Sequence, residues 1–107
     1  MNEDAHYRVL RVIEDLPKIT QRKLAEKLGI SLGKTNYCIN AMVNQGWIKA
    51  TNFKNGNRKI AHAYLLTPTG MGEKARMAVR FLRRKVEEYE ALKLEIDELL
   101  ADTRSNQ

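Results

Sequence analysis

Hydrophobic positions in the first half of the chain repeat with helical spacing in three successive segments. Between residues 4 and 16 apolar side chains recur every three or four positions. Pro17 ends this run, because proline disfavours helical geometry in the residue before it. A second apolar stripe covers residues 21–28 and a third covers residues 31–45. The periodicity therefore predicts three short amphipathic helices.

Residues at the ends of these segments support the boundaries. Thr20 and Ser31 precede the second and third stripes, and their hydroxyl groups suit them to cap a helix N-terminus. Gly29 and Gly46 follow the same two stripes and can adopt the left-handed conformation that ends many helices. The second and third helices should therefore be joined by a tight turn at Gly29.

The pattern changes to that of a β-hairpin after the third helix. Residues 47–51 and 60–66 can form two strands, and Asn55-Gly56 lies between them. This dipeptide favours a type I′ turn, because both of its central residues need positive φ. The chain should then be mainly α with a small β-hairpin.

A long helix follows, with Thr67 as its cap and Pro68 at its first position. Its apolar residues follow a seven-residue repeat over roughly 30 residues, which is typical of a coiled coil. We expect a domain at 1–67, a dimerisation helix at 68–101 and a flexible tail at 102–107. The residues of the predicted dimerisation seam are Ala75, Ala78, Val79, Leu82, Val86, Tyr89, Leu92, Ile96, Leu99 and Leu100.

Charge is distributed unevenly along the 107 residues, whose formal net charge is +6. No acidic residue occurs between Glu26 and Glu73. A surface without carboxylates suits a polyanion such as a nucleic acid. In the long helix, bases fill the first half and acids the second, which opposes the helix dipole. An antiparallel partner helix would pair each basic half with an acidic half, so we predict an antiparallel homodimer.

The order of helices and hairpin is that of a winged helix-turn-helix, in which the third helix can enter the major groove of duplex DNA. Its apolar stripe faces the core, which leaves polar side chains exposed, and the hairpin tip at 52–59 can contact the backbone or the minor groove. The predicted DNA-binding residues are Gln21, Arg22, Ser31, Gly33, Lys34, Asn36, Tyr37, Asn40, Lys54, Asn57, Arg58 and Lys59.

Several motifs resemble those of MarR-type winged helix regulators. They are TQRKLAEKLGIS at 20–31, NQGWI at 44–48, Arg58, and LTPTG at 66–70. The resemblance covers about residues 10–72 and implies a bacterial transcriptional regulator that binds DNA as a dimer. The short length and the arginine-rich last helix are most similar to a small branch associated with exopolysaccharide gene clusters.

The chain also departs from that family. Thr35 stands where an aliphatic core residue is usual, and Tyr37 where a small or basic residue is common. There is little N-terminal sequence to build the effector pocket of longer members, so an effector is left open.

Other classes of function find little support. No phosphate-binding glycine loop or catalytic triad is evident, so we do not expect an enzyme or a cofactor. His6 and His62 lack further ligands for a metal. Cys38, the only cysteine, is either a core residue or a redox sensor, and its isolation fits the cytoplasm. The main alternative to DNA binding is a protein-interaction module that uses the long helix, with the winged domain as scaffold.

Overall fold

The computed structural model describes residues 3–54 and 60–105, which form four helices and a two-stranded hairpin. The fold is mainly helical, as the sequence predicted. The elements are α1 (Glu3–Asp15), α2 (Gln21–Leu28), α3 (Leu32–Asn44), β1 (Ile48–Lys54), β2 (Ile60–Leu66) and α4 (Pro68–Ser105).

Local hydrogen bonds define the helix-turn-helix formed by α2 and α3. The hydroxyl of Thr20 accepts a hydrogen bond from the backbone N–H of Lys23, at 3.1 Å, and caps α2. Gly29 ends α2 in the left-handed conformation with φ of 68°. Ser31 then caps α3 by accepting from the N–H of Lys34 at 3.1 Å. Both predicted N-caps and the predicted glycine turn are confirmed.

The hydrophobic core combines residues from every element. It packs the inner faces of α1, α2 and α3 against the hairpin and the first turns of α4. Burial of these apolar surfaces stabilises the domain. The buried members of the cluster are Val9, Leu10, Ile13, Leu24, Leu28, Cys38, Ile39, Met42, Ile48, Tyr64 and Met77.

The hairpin is antiparallel, with a register that pairs Ile48 with Leu66 and Lys54 with Ile60. β1 therefore extends beyond the predicted end at Thr51, because β2 supplies hydrogen-bond partners as far as Lys54. The N–H of Tyr64 in β2 also donates to the carbonyl of Pro17 at 2.8 Å, which ties the hairpin to the α1–α2 connection. The predicted Asn55-Gly56 turn lies outside the described residues.

The LTPTG motif joins the start of α4 to the turn between α3 and β1. The N–H of Thr67 donates to the carbonyl of Trp47 at 3.0 Å, and the hydroxyl of Thr67 accepts from the N–H of Gly70 at 3.0 Å. That hydroxyl also lies within hydrogen-bonding distance of the carbonyl oxygens of Gly46 and Trp47. A Cβ atom at Gly70 would overlap the carbonyl oxygen of Trp47, so this position requires glycine.

The chain divides into two compact units, Met1–Met77 and Ala78–Gln107. The first unit continues past the predicted boundary at residue 67, because Met77 is part of its core. The second unit is helical up to Ser105, so the prediction of a tail from residue 102 was wrong for residues 102–105. The hydroxyls of Thr103 and Ser105 donate to the backbone carbonyls of Leu100 and Ala101 within this last turn.

Candidate nucleic-acid interface

α3 has one buried and one exposed face. Thr35, Cys38, Ile39 and Met42 face the core. The predicted DNA-binding residues that belong to α3 or cap it are all exposed, and Tyr37 retains 73% of its accessible surface. The exposed set comprises Ser31, Gly33, Lys34, Asn36, Tyr37 and Asn40.

The N-terminus of α3 offers hydrogen-bond donors to an anion. The N–H of Lys34 bonds to the Ser31 hydroxyl, and the N–H of Thr35 bonds to the Ser31 carbonyl at 3.0 Å. The backbone N–H groups of Leu32 and Gly33 have no hydrogen-bond acceptor among the described residues. The first turn contains no acidic residue, so the positive end of the helix dipole is not neutralised locally.

Exposed basic side chains flank this helix. Arg22 on α2, Lys34 on α3 and Lys49 on β1 are exposed, and in the part of the chain described here none of them has an ion pair. Two of the six acids of the first unit, Glu14 and Glu73, instead pair with Lys74 at 2.8 Å and with Arg76 at 2.6 Å. Uncompensated positive charge therefore borders α3.

A chain of hydrogen bonds links the exposed face of α3 to the core. Asn40 Nδ2 donates to Asn36 Oδ1, and Asn36 Nδ2 donates to Gln21 Oε1, each at 3.1 Å. Gln21 Nε2 in turn donates to the hydroxyl of Tyr64 at 3.1 Å. Tyr64 is only 4% exposed. We call these four residues the amide chain.

Two polar groups on the inner face of α3 are accommodated differently. Thr35 is fully buried, and its hydroxyl donates to the carbonyl of Ser31 at 2.9 Å. Cys38 is buried as well, and this burial raises the pKa of its thiol to about 11. The thiol is therefore neutral at physiological pH, as expected for a core residue rather than a reactive cysteine.

The predicted residues of the wing are only partly covered by the structure. Lys54 is the last residue of β1. Asn57, Arg58 and Lys59 lie outside the described residues, and their role in DNA binding stays a prediction.

The described residues contain no group of three or more potential metal ligands. None of the described helices is both long and apolar enough to span a membrane.

Residues 3–49 match a family described as winged helix-turn-helix DNA-binding. Three solved structures also resemble the chain. The PcaV transcriptional regulator from Streptomyces coelicolor has a TM-score of 0.64 at 18% identity, over 96% of this chain and 79% of its own. FabT from Streptococcus pneumoniae, in complex with DNA, has a TM-score of 0.54 at 24% identity, over 78% and 57%.

The third structure is ZitR from Lactococcus lactis, a zinc-responsive MarR family member. Its TM-score is 0.60 at 18% identity, over 82% of this chain and 58% of its own. The chain has a MarR-type winged helix-turn-helix fold. The fold that the sequence resemblance implies is thereby confirmed. No curated protein matches the chain in sequence.

The solved structures that share this fold include proteins described as transcriptional regulators. Within this fold, sequence reasoning predicted Gln21, Asn36 and Asn40 as DNA-binding residues but missed Tyr64. The alternation of β2 marks Tyr64 as an inward-facing residue, but its contact with Gln21 spans 43 positions along the chain. No local pattern could have revealed that contact.

Proposed function

We propose that the chain is a sequence-specific regulator of transcription that binds duplex DNA as a homodimer. In this proposal α3 enters the major groove, and the wing at 52–59 contacts the backbone or the minor groove. The observation that carries it is the exposed face of α3. Its amide side chains lie beside N-terminal N–H groups and a Lys34 side chain that have no hydrogen-bond or ion-pair partner among the described residues, and α3 itself contains no acid. The similarity to FabT, solved with DNA, supports the same function.

Fluorescence anisotropy of labelled duplex DNA at two salt concentrations tests this function. Each phosphate contact contributes roughly 0.9 to the slope of log affinity against log salt. Lys34→Ala and Arg58→Ala should each weaken binding and lower the slope by about 1. Lys93→Ala is the matched control, because Lys93 is an exposed base in the acidic half of α4. A chain that binds no duplex even at low salt would refute the proposal.

Dimerisation is the second part of the proposal. In the second unit the seam residues Leu82, Tyr89, Leu92 and Leu99 are all at least 54% exposed in the single chain. An apolar stripe of this length is typical of a surface that binds another protein. A second copy in antiparallel orientation would pair the basic first half of α4 with its acidic second half.

Light scattering tests the dimer, and distances between labels test its direction. Labels at Ala101 of two protomers should lie far apart in an antiparallel coil, whereas short Ala101–Ala101 distances would establish a parallel one. Labels at Ala91 provide the comparison nearer to the middle of the helix.

The same apolar stripe favours a second candidate function, an interaction module that binds a different protein through α4. A chain that is monomeric in solution and binds no DNA would support this alternative. As a DNA-binding regulator, the protein would act in the cytoplasm.

A further inference from the structure

We infer that the amide chain sets base specificity, with Asn40 as the residue that reads the base and Tyr64, Gln21 and Asn36 as positioning residues. The inference rests on the proposed DNA-binding function and assigns separate roles within that interface. It changes the roles of Gln21 and Asn36, which the sequence placed among the residues that contact DNA.

The hydrogen bonds of the amide chain leave Asn40 with an unused edge. Asn40 donates one N–H to Asn36 Oδ1. Its own Oδ1 atom and its second N–H have no partner among the described residues. An amide that offers one acceptor and one donor side by side matches the N6 and N7 atoms of adenine in the major groove. Asn40 is exposed on α3, where the proposed function places the DNA.

Asn36 and Gln21 are already engaged at both ends of their amide groups. Asn36 donates to Gln21 and accepts from Asn40, while Gln21 accepts from Asn36 and donates to Tyr64. Gln21 is also half-buried. These two side chains are therefore placed to hold Asn40 and not to read a base themselves.

Tyr64 anchors the inner end of the amide chain. Its ring belongs to the hydrophobic core, and its backbone N–H is bonded to Pro17. The hydroxyl consequently has a fixed position. The hydrogen bonds through Gln21 and Asn36 then hold the side chain of Asn40 in place. An exposed Asn would otherwise sample several rotamers, and ordering it on binding would reduce the affinity for the correct base.

The experiment compares base preferences of variants in the full-length chain. Duplexes are first selected from a random pool with the wild-type protein, and affinities for the selected and a scrambled duplex are then measured. Tyr64→Phe removes only the hydroxyl, and Gln21→Met breaks the amide chain at both of its links. Each should reduce the ratio of specific to non-specific affinity roughly twofold to tenfold, the range expected for losing the order of one side chain.

Three readouts separate positioning from a general structural effect. Tyr64→Phe should relax preference at the same base pair as Asn40→Ala, and it should have no further effect when Asn40 is already alanine. Affinity for the scrambled duplex should not change. Tyr7→Phe is the control, since it removes a hydroxyl from α1, outside the amide chain. Thermal unfolding of each variant verifies that it folds.

The outcomes distinguish this inference from the proposed function. If the wild type selects a sequence and both Tyr64→Phe and Gln21→Met select it with unchanged preference, the positioning role is refuted while DNA binding stands. Loss of preference at a base pair that Asn40→Ala does not affect would also refute it. A wild-type chain that binds no duplex would overturn both proposals.

Discussion

Thr35 carries a hydroxyl group into a core built otherwise from apolar side chains. The side chain is fully buried, and the hydroxyl donates to the carbonyl of Ser31 one turn earlier. The same carbonyl also accepts from the backbone N–H of Thr35. A buried donor is thus satisfied within a single helical turn, which explains how this position tolerates a polar residue where an aliphatic one is usual.

Replacing Thr35 with valine should leave the free energy of unfolding within about 1 kcal/mol of the wild type. Valine keeps the shape, and the Ser31 carbonyl retains its bond to the backbone N–H. Thr35→Ala also removes a buried methyl group and should destabilise the protein by about 1–2 kcal/mol. Urea denaturation measures both variants. Equal losses of more than about 1 kcal/mol for both variants would show that the hydroxyl bond matters more than the packing.

Cys38 should be protected from modification in the folded protein. Burial raises the pKa of its thiol to about 11, above the ordinary value of 9.0. The thiolate fraction near neutral pH should therefore fall about 100-fold, and alkylation by iodoacetamide should slow at least in proportion. The protein unfolded in guanidinium is the control. Rapid alkylation of the native protein would contradict a structural role.

The same shift has a consequence for stability at high pH. Because the folded pKa lies above the unfolded one, the folded state holds the thiol proton more tightly. The resulting stabilisation is complete below pH 9 and is lost as the pH rises towards 11. The stability difference between the wild type and Cys38→Ala should therefore decrease over this range, as measured by urea denaturation at several pH values.

At the scale of elements, the helix boundaries depend on short-range contacts, whereas the hairpin and the start of α4 depend on longer ones. Thr20 and Ser31 cap their helices through N–H groups three residues away. By contrast, Thr67 joins α4 to Gly46 and Trp47, about twenty positions earlier. The LTPTG motif therefore starts α4 and also connects it by hydrogen bonds to the turn between α3 and β1.

Gly70→Ala should destabilise the first unit by about 1–3 kcal/mol, the usual cost of overpacking. Alanine would normally favour a helix, but here its Cβ atom would overlap the backbone of Trp47. Gly72→Ala is the matched control on the same helix, because its Cβ atom would meet only the flexible Arg76 side chain at 3.5 Å. That variant should be stabilised by about 0.5–1 kcal/mol. If both substitutions changed thermal unfolding equally, the close contact between position 70 and the backbone of Trp47 would not be what requires glycine.

In the molecule as a whole, the acid-free part of the sequence and the exposed apolar seam belong to different units of the chain. The first unit buries a core, and its sequence contains no acid between Glu26 and Glu73. The second unit is a helix whose apolar seam is exposed in the single chain. Acidic residues occur again in α4, which is the helix that the sequence predicts to contact another copy. The charge pattern and the apolar pattern therefore both separate the proposed DNA-binding surface from the proposed dimer surface.

Self-association should depend on seam residues and not on exposed apolar residues in general. Leu92 occupies the predicted seam, whereas Leu94 is similarly exposed, at 60%, but lies outside it. Leu92→Asn should weaken the dimer at least tenfold, because each protomer loses a buried leucine worth about 2 kcal/mol. Leu94→Asn should leave it unchanged. Analytical ultracentrifugation over a concentration series measures both, and equal weakening would refute the predicted seam.

Loss of the dimer should also reduce DNA binding to a two-fold symmetric site. Two linked domains bind with an advantage in effective concentration that a monomer lacks. Leu92→Asn is therefore expected to lower affinity for the selected duplex more than for a half-site. Identical losses on both duplexes, measured by anisotropy, would indicate that the chain binds as a monomer.

Sequence patterns alone predicted the order of elements, the N-caps Thr20, Ser31 and Thr67, and the exposed face of α3. These features depend on interactions between residues a few positions apart, which a periodic pattern records directly. The tertiary structure alone decided the link from Asn36 through Gln21 to Tyr64, the need for glycine at position 70 and the inclusion of Met77 in the core. Each of these depends on how segments distant in sequence pack, and packing fixes atomic positions that no local pattern contains.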